Sequence, residues 1–394
     1  MLRILYRLEN PVQHYPWGST DAIPAILGIE NKENKPFAEL WMGSHAKAPS
    51  KAFTDDGPVP LDRLIAADPS FFLGKAVAER FDGTLPFLLK ILSAEKPLSL
   101  QAHPNSEQAT RGFAQEERRG IPRNAPNRNY RDPNHKPEML RALTPFSALC
   151  GFRNPEEIYA NLQPLKNAKR LLQSLSDDPS CRRMFREMLY LEENQKTDLV
   201  REAVESSQGK TDPAHYWVCR LVEEYSDDIG ILSPLLLNLV ELEPGEALEL
   251  KAGVLHSYLQ GTGIEIMANS DNVLRGGLTS KHMDRDELMK VLVFPSDEPR
   301  RLAPSKTGKG YTYPTDAREF ALWVCETDVP VSLMLPQSPG SSIFLCIRGI
   351  FHLQTAGETL EVSSGQTVFA AASAESLHLT GSGLLFRAFV PPEN

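Results

Sequence analysis

The chain has few cysteines, no excess of positive charge and no long apolar run. Its five cysteines are far apart and lack any CxxC spacing, which argues against a disulfide framework or a thiolate metal site. A reducing, cytoplasmic location fits this usage best. The net charge of −9 argues against general affinity for nucleic acid or anionic membranes, so an anionic ligand would have to meet a local cluster of cations.

The absence of long apolar runs also bears on targeting and membrane insertion. Arg3, Arg7 and Glu9 interrupt the only apolar stretch near the start, which is too short for a signal peptide or a membrane span. The overall composition is that of an ordinary globular protein, with 41% hydrophobic and 24% charged residues. A length of 394 residues predicts two or three domains.

Residues 37–104 carry short apolar runs separated by Gly, Pro and Asp, which predicts strands. LPFLLKIL and the following LSLQAH are expected to be paired strands. Because side chains alternate along a strand, Ser99, Gln101 and His103 should share one face of LSLQAH. Two candidate metal ligands would then converge on one side of a sheet.

A helical region is predicted to begin at Asn154, where Asn-Pro-Glu-Glu supplies an N-cap, a first-turn proline and acidic residues at the helix start. Apolar residues keep helical spacing from there to about Ser226. Methionines and aromatic residues on these stripes, such as Met184 and Trp217, are interpreted as packing core and not as a cofactor site.

After the helical region, apolar and polar residues alternate again in LLLNLVELEPGEALELKAGVLHSYL, which also has a Pro-Gly turn typical of antiparallel strands. We therefore predict a mainly β protein with two jelly-roll β domains and an inserted α-helical domain. The segments are 1–152 and 232–314 for the first β domain, 153–231 for the insert and 315–394 for the second β domain. This order would bring His256 back beside Gln101 and His103.

The last segment resembles a second copy of the first β domain. Aligning Gly245 with Gly365 sets Ser376 against His256, so the second copy lacks a ligand at that position. We expect a structural partner domain without metal.

Gln101, His103, Glu138 and His256 form a candidate metal site although they are distant in sequence. Two imidazoles, a carboxylate and an amide oxygen suit Zn²⁺ with one position open for water or substrate. Taken singly, each residue is better explained by hydrogen bonding in a core. The case is stronger for the set, because GVLH follows a PGE turn at the spacing of a cupin-type second motif.

Two further clusters are candidates for substrate binding. EIMANSDNVLRGGLTSK contains Arg275 and Lys281, which could hold a phosphate or a developing oxyanion, or belong to a solvated loop with surface ion pairs. Near the start, Trp17 either stacks on a sugar ring or plugs the barrel mouth, and Trp41 is interpreted as core.

These motifs closely resemble the type I phosphomannose isomerase family. The resemblance covers YPWGS, AELWMGSHAKAPS, LPFLLKIL, LSLQAHPN, RDPNHKPEM, LSPLLLNLVELEPGEALELKAGVLHSYLQG and EIMANSDNVLRGGLTSK, in family order. It implies a double-cupin architecture with a helical insert, one zinc ion per chain, and reversible interconversion of mannose 6-phosphate and fructose 6-phosphate through a cis-enediol. A sugar phosphate is the expected partner, and a monomer is favoured.

The resemblance also implies roles for individual residues. Gln101, His103, Glu138 and His256 match the zinc ligands, and Arg275 matches the catalytic arginine. Proton transfer is assigned first to Lys136, because a neighbouring cation and burial weaken a lysine's hold on its proton, with Glu265, Asp271, His135 and a zinc-bound hydroxide as alternatives. The pocket is expected to be lined by Trp17, Glu39, Ser99, His135, Tyr258 and Lys281. One departure is Ser257 in HSYL, where the family commonly has alanine.

Two other functions remain open from the residues alone. A cupin oxygenase could use Fe²⁺ at a histidine and carboxylate site, although the amide ligand and the basic pocket disfavour it. A carbohydrate-binding or storage cupin would bind metal without turnover, and the charged residues gathered near the predicted metal argue for chemistry instead.

Overall fold

The structure is a computed structural model that describes residues 3–294, 298–374 and 376–393. These residues form two large antiparallel β-sheets and a group of helices inserted into one of them. A mainly β fold with a helical insert is therefore confirmed. No helix in the described part of the chain is both long and apolar enough to cross a bilayer.

The first part of the chain alternates strands with short helices. Its strands are β1 (Leu5–Glu9), β2 (Val12–Gln13), β3 (Glu39–Met42), β4 (Lys51–Thr54), β5 (Gly57–Pro60), β6 (Phe87–Ala94), β7 (Leu100–Ala102), β8 (Glu138–Ala142) and β9 (Phe146–Phe152). Its helices are α1 (Ala22–Leu27), α2 (Leu61–Ala67), α3 (Pro69–Leu73), α4 (Lys75–Arg80) and α5 (Ser106–Arg118).

The insert is helical over the predicted range. It contains α6 (Pro155–Leu162), α7 (Lys169–Asp177), α8 (Arg182–Leu189), α9 (Glu193–Ser207), α10 (Pro213–Tyr225) and α11 (Ser233–Leu236), with 3-10 turns at Lys166–Ala168 and Ile229–Leu232. Asn154 caps α6 as expected, because its side chain accepts a 2.8 Å hydrogen bond from the Glu157 N–H. Met184 and Trp217 lie in the buried core of the insert, as predicted.

The remaining elements complete both sheets. They are β10 (Leu237–Leu242), β11 (Ala247–Leu250), β12 (His256–Ala268), β13 (Leu274–Gly277), α12 (Arg285–Val291), β14 (Arg301–Leu302), β15 (Ser305–Thr307), β16 (Gly310–Thr312), β17 (Ala321–Met334), β18 (Ser342–Gln354), β19 (Thr359–Ser363), β20 (Thr367–Ala370) and β21 (His378–Phe389).

Strand β12 is the centre of the first sheet. Its first residues pair with β7 and β9, and from Gly261 onwards it pairs with β6 and β8. Gly261 has a φ of 124°, and a Cβ there would lie 2.7 Å from the Pro145 carbonyl oxygen, so only glycine fits this crossing. The predicted direct pairing of LPFLLKIL with LSLQAH is wrong, because β6 and β7 each pair with a different half of β12.

Strand pairing crosses the predicted domain boundaries at both ends. Leu5 of β1 pairs with Ala370 of β20, so the start of the chain joins the second sheet. Strands β15 and β16 also belong to that sheet, through the pairing of Tyr311 with Val324. An extended core of apolar side chains from both sheets, including Ile264, Phe369 and Phe386, lies between them. The division into four segments remains a prediction about folding units.

Candidate metal centre

The centre of the site is built by three neighbouring strands. Gln101 on β7 is the direct partner of His256 on β12 and of Arg275 on β13. Directly opposed residues in adjacent strands project to the same face, so an amide, an imidazole and a guanidinium stand side by side. His103 follows β7 and is 1% exposed, while Leu100 and Ala102 are buried on the other face, as the alternation predicted.

Glu138 begins β8 and completes a buried cluster with the two histidines. The potential ligand atoms of His103, Glu138 and His256 all lie within 4.8 Å of one another. Glu138 Oε2 is 3.3 Å from His103 Nε2 and 3.5 Å from His256 Nε2. None of these three buried atoms has a hydrogen-bond partner among the described residues.

The hydrogen bond at Nδ1 of each imidazole determines whether the Nε2 that faces Glu138 carries a proton. His103 Nδ1 lies 2.7 Å from the Asn272 carbonyl, and His256 Nδ1 lies 2.9 Å from the Val254 carbonyl. Since a carbonyl only accepts, each Nδ1 carries the proton and each Nε2 presents a lone pair to Glu138. Burial lowers the pKa of His103 to about 4, which keeps this ring neutral at neutral pH.

Three electron-pair donors therefore face one another in a sealed space, which is unfavourable unless a cation lies between them. Two histidine nitrogens and a carboxylate, with Gln101 beside them, form a donor set that fits Zn²⁺. The backbone carbonyls behind the imidazoles supply the outer hydrogen bonds that orient zinc-binding histidines.

Lys136 is the charged side chain next to this cluster. Its Nζ lies 3.1 Å from Glu138 Oε1, and the residue is 8% exposed. Burial by itself would raise the pKa of Glu138, but Lys136 and His103 hold that pKa well below its ordinary value. Glu138 is therefore an anion, as a metal ligand must be.

A second buried network lies across β3, β6 and β12. Lys90 is 6% exposed, and its Nζ lies 2.8 Å from Glu265 Oε2 and 3.3 Å from Glu39 Oε1. Tyr258 donates to the other oxygen of Glu265 at 2.9 Å, and Trp41 Nε1 donates to Glu39 at 2.7 Å. This network therefore holds the carboxylates of Glu39 and Glu265, which were both predicted to be site residues.

The ionisation of this network follows from its burial. Burial raises the pKa of Glu265, and Lys90 opposes that shift. Burial works to lower the pKa of Lys90, but Glu265 and Glu39 outweigh it and raise the pKa above its ordinary value. Lys90 is a functional candidate that the sequence reasoning missed, although its position as the one charge in LPFLLKIL was an available signal.

Asp271 is also held by other side chains. Its carboxylate lies 2.7 Å from Lys47 Nζ and 3.6 Å from His45 Nε2. Burial would raise the pKa of Asp271, but His45 and Lys47 lower it overall. His45 also packs edge-on against Trp41, with the ring centroids 4.8 Å apart.

A group of cations lies beside the cluster without acidic partners. Among the described residues, no carboxylate lies within 4.0 Å of the charged groups of Arg131, Arg275 and Lys281. Burial lowers the pKa of Arg275, and Arg131 lowers it further. Partial burial, Arg275 and Arg131 lower the pKa of Lys281 in the same way. Mutual repulsion of this kind indicates a site for an anion.

Arg131 was also missed from sequence, although it opens the motif RDPNHKPEM. Its position depends on Asn272, which is fully buried and whose Oδ1 accepts from the Arg131 N–H at 2.7 Å. The Asn272 side-chain amide also donates to the carbonyls of Asp132 and Asn134, both at 2.8 Å. One asparagine therefore orients both the Arg131 loop and His103.

The other predicted pocket residues are placed as follows. Ser99 is half-buried between β6 and β7, and Trp17 is half-buried, with its ring 5.7 Å from that of Tyr15 and packed against the core that contains Tyr258. His135 is paired with an acidic residue, because its Nε2 lies 2.9 Å from Glu319 Oε1. Ser257, the departure noted in HSYL, donates to the Leu98 carbonyl at 2.7 Å and so fixes β12 to the segment before β7.

Comparisons with known proteins agree with this arrangement. Residues 5–155 match the model of the phosphomannose isomerase type I catalytic domain. Mannose-6-phosphate isomerase of Escherichia coli K12 is 40% identical, with 98% of this chain and 99% of that protein covered. Mannose-6-phosphate isomerase 1 of Arabidopsis thaliana is 32% identical, with 96% and 92% covered.

Solved structures extend the agreement to the fold. A zinc-bound mannose 6-phosphate isomerase superposes with a TM-score of 0.92 at 37% identity, over 99% of this chain and 100% of that one. A mutant phosphomannose isomerase from Salmonella typhimurium gives 0.93 at 36% identity with the same coverage. Sequence, fold and buried ligand set agree, and the chain belongs to the type I phosphomannose isomerase family.

Proposed function

We propose that the protein reversibly interconverts D-mannose 6-phosphate and D-fructose 6-phosphate, with Zn²⁺ as cofactor. One observation carries this proposal. The buried atoms His103 Nε2, His256 Nε2 and Glu138 Oε2 face one another without a hydrogen-bond partner among the described residues. Arg275 lies on β13, directly opposite Gln101 of β7. A metal position beside an unpaired guanidinium suits a substrate whose reacting oxygens become negative.

The reaction moves one proton from C2 to C1 and another from O2 to O1, through a cis-enediol. Zinc bound by Gln101, His103, Glu138 and His256 would act as a Lewis acid on the substrate oxygens. Among the protein groups, we assign the carbon-bound proton to Lys136, because its Nζ is 3.1 Å from Glu138 and so lies beside the metal position. Arg275 would stabilise the developing negative charge on oxygen.

The two other acidic candidates are better suited to positioning. Glu265 already accepts from Tyr258 and pairs with Lys90, and Asp271 pairs with Lys47. To move a proton, Glu265 would have to give up a buried hydrogen bond and Asp271 its ion pair with Lys47. We therefore assign Glu265, Asp271 and Glu39 to holding the walls of the pocket in place.

Phosphate recognition is assigned to Lys281 and Arg131, with Ser99 as a hydroxyl donor. The support is electrostatic. Burial, followed by repulsion from neighbouring cations that include Arg131, lowers the pKa of Lys281 and of Arg275, and a phosphate dianion would relieve that repulsion. Trp17 and Tyr15 would pack against the sugar.

The test is conversion of mannose 6-phosphate to fructose 6-phosphate by purified protein as isolated, after chelation and after Zn²⁺ is restored. We expect activity to disappear on chelation, to return with zinc and to be absent in His256→Ala. His352→Ala is the matched control, because the His352 side chain is 42% exposed and lies 3.5 Å from Glu361. A folded, zinc-loaded protein without turnover would rule out this reaction.

A further inference from the structure

A second cavity lies in the C-terminal sheet, away from the metal centre. Its volume is about 490 Å³, and the ends of β17, β18, β20 and β21 surround it. The lining includes Ser338, Ser342, Ala374, Ser376 and Arg387. Ser376 is the residue that aligns with His256 in the first β domain, so this cavity occupies the corresponding end of the second one.

Arg387 is the cation of this cavity. It is 4% exposed, and its guanidinium lies over the rings of Phe389 and Phe344, at 4.7 and 5.8 Å from their centroids. Nε donates to Ser342 Oγ at 3.0 Å and Nη1 donates to the Pro336 carbonyl at 2.6 Å. Burial lowers the pKa of Arg387 to about 10, so it remains charged at neutral pH.

No carboxylate in the described ranges lies within salt-bridge distance of Arg387. This contrasts with Lys90, whose charge is balanced by two glutamates. A buried cation without an anion is costly, because the charge has lost its hydration without gaining an ionic partner. An anion in the cavity would offset that cost.

Serine hydroxyls line the same cavity. Ser338, Ser342 and Ser376 are among its lining residues. Ser342 Oγ accepts from Arg387 Nε at 3.0 Å, and Ser338 Oγ donates to the Val390 carbonyl at 3.2 Å. Hydroxyl groups close to the guanidinium are further hydrogen-bonding groups for an oxyanion in the cavity.

We propose that this cavity binds a small anionic molecule through a carboxylate or phosphate group held by Arg387. The guanidinium supplies charge-assisted hydrogen bonds to the oxyanion, and serine hydroxyls supply the remaining donors. A volume of about 490 Å³ is within the range of small-molecule sites. This inference does not depend on the proposed isomerase activity.

The test is calorimetric titration of the zinc-loaded Lys281→Ala variant, in which the anion site beside the metal centre is weakened. Inorganic phosphate and malate are titrated separately, to distinguish a phosphate ligand from a carboxylate ligand. We expect at least one of them to bind, and binding to weaken at least about tenfold when Arg387→Met is added. Arg348→Met is the control, because Arg348 has a 57% exposed side chain and pairs with Asp328.

A second variant covers the case in which Arg387→Met does not fold. Ala374→Leu fills the cavity without removing the cation, and we expect it to abolish the same binding. Glu375→Gln tests whether the chain supplies its own carboxylate at a position outside the described residues. Binding seen only after Glu375→Gln would overturn the proposal. So would an absence of binding by both anions, or binding that Arg387→Met and Ala374→Leu leave unchanged.

Discussion

The two β-sheets bury charge in different ways. Around the metal centre, Lys90 lies between Glu39 and Glu265, and Lys136 pairs with Glu138, so both of these buried lysines have an anion. In the C-terminal sheet the charged residue Arg387 is buried, and it has no carboxylate partner in the described ranges. The difference indicates that the first sheet is organised around ionic chemistry, whereas the second mainly supports it.

The largest expected effect comes from removing Lys90. Lys90→Met should lower the free energy of unfolding by about 3–5 kcal/mol, because two buried glutamates would lose their shared cation. Arg387→Met should cost only about 1–3 kcal/mol, since it leaves acceptors unsatisfied but no buried anion. Urea unfolding measures both, and Lys51→Met, at an exposed pair with Glu9, is the control. Equal losses for Lys90 and Arg387 would contradict the comparison.

The unpaired cations of the first sheet provide the next test. Arg131→Ala should raise the KM for mannose 6-phosphate by about 10- to 100-fold, because it removes one charged hydrogen-bond donor to the phosphate. Zinc content, measured by atomic absorption, should stay at the wild-type level. Arg123→Ala is the control, since Arg123 is exposed and pairs with Glu117. An unchanged KM would show that Arg131 does not contact the phosphate.

A smaller effect is expected from pH. The pKa of Lys281 lies below its ordinary value of 10.5 because partial burial, Arg275 and Arg131 disfavour the charged form. The charged form binds phosphate, so KM should rise as the pH rises through this lowered pKa, with a limiting slope of about tenfold per pH unit. Steady-state kinetics from neutral to alkaline pH measure it. Lys281→Arg should flatten the profile, and an identical profile in that variant would assign the titration to another group.

The smallest effect is expected from restoring a histidine in the second sheet. Ser376→His should leave zinc at one ion per chain, because a single imidazole does not hold zinc and the described residues contain no cluster of three potential ligands besides His103, Glu138 and His256. Zinc titration against a colorimetric chelator measures the stoichiometry. A second ion bound with comparable affinity would show that the two sheets differ less than their buried residues indicate.

Much of the architecture could be predicted because local patterns encode it. Asn154 followed by Pro155 specifies a helix start through local interactions, because the Asn154 side chain accepts from the Glu157 N–H. The period of two around Gln101 specifies which side chains share a face. The pairing of the strands was harder to predict from the sequence. β6 and β7 adjoin in sequence, yet both pair with β12, because Gly261 lets one long strand serve two sets of neighbours.

The site residues, like the strand pairings, could be predicted only in part. Sequence motifs identified His103, Glu138 and His256, and the structure brings them together. Lys90 and Arg131 were missed because their importance depends on what surrounds them. A lysine in an apolar strand is informative only once Glu39 and Glu265, from two other strands, are seen beside it.

The sequence by itself determined the family, the order of strands and helices and the candidate ligands, because these depend on residue type and local spacing. Only the tertiary structure decided which carboxylates are already paired, which cations lack partners and which imidazole nitrogen faces the metal position. Those properties arise from burial and from contacts between residues far apart in the chain. Electrostatic interactions are stronger in the low dielectric of the interior than in water, so each pairing strongly affects the charge state of its members.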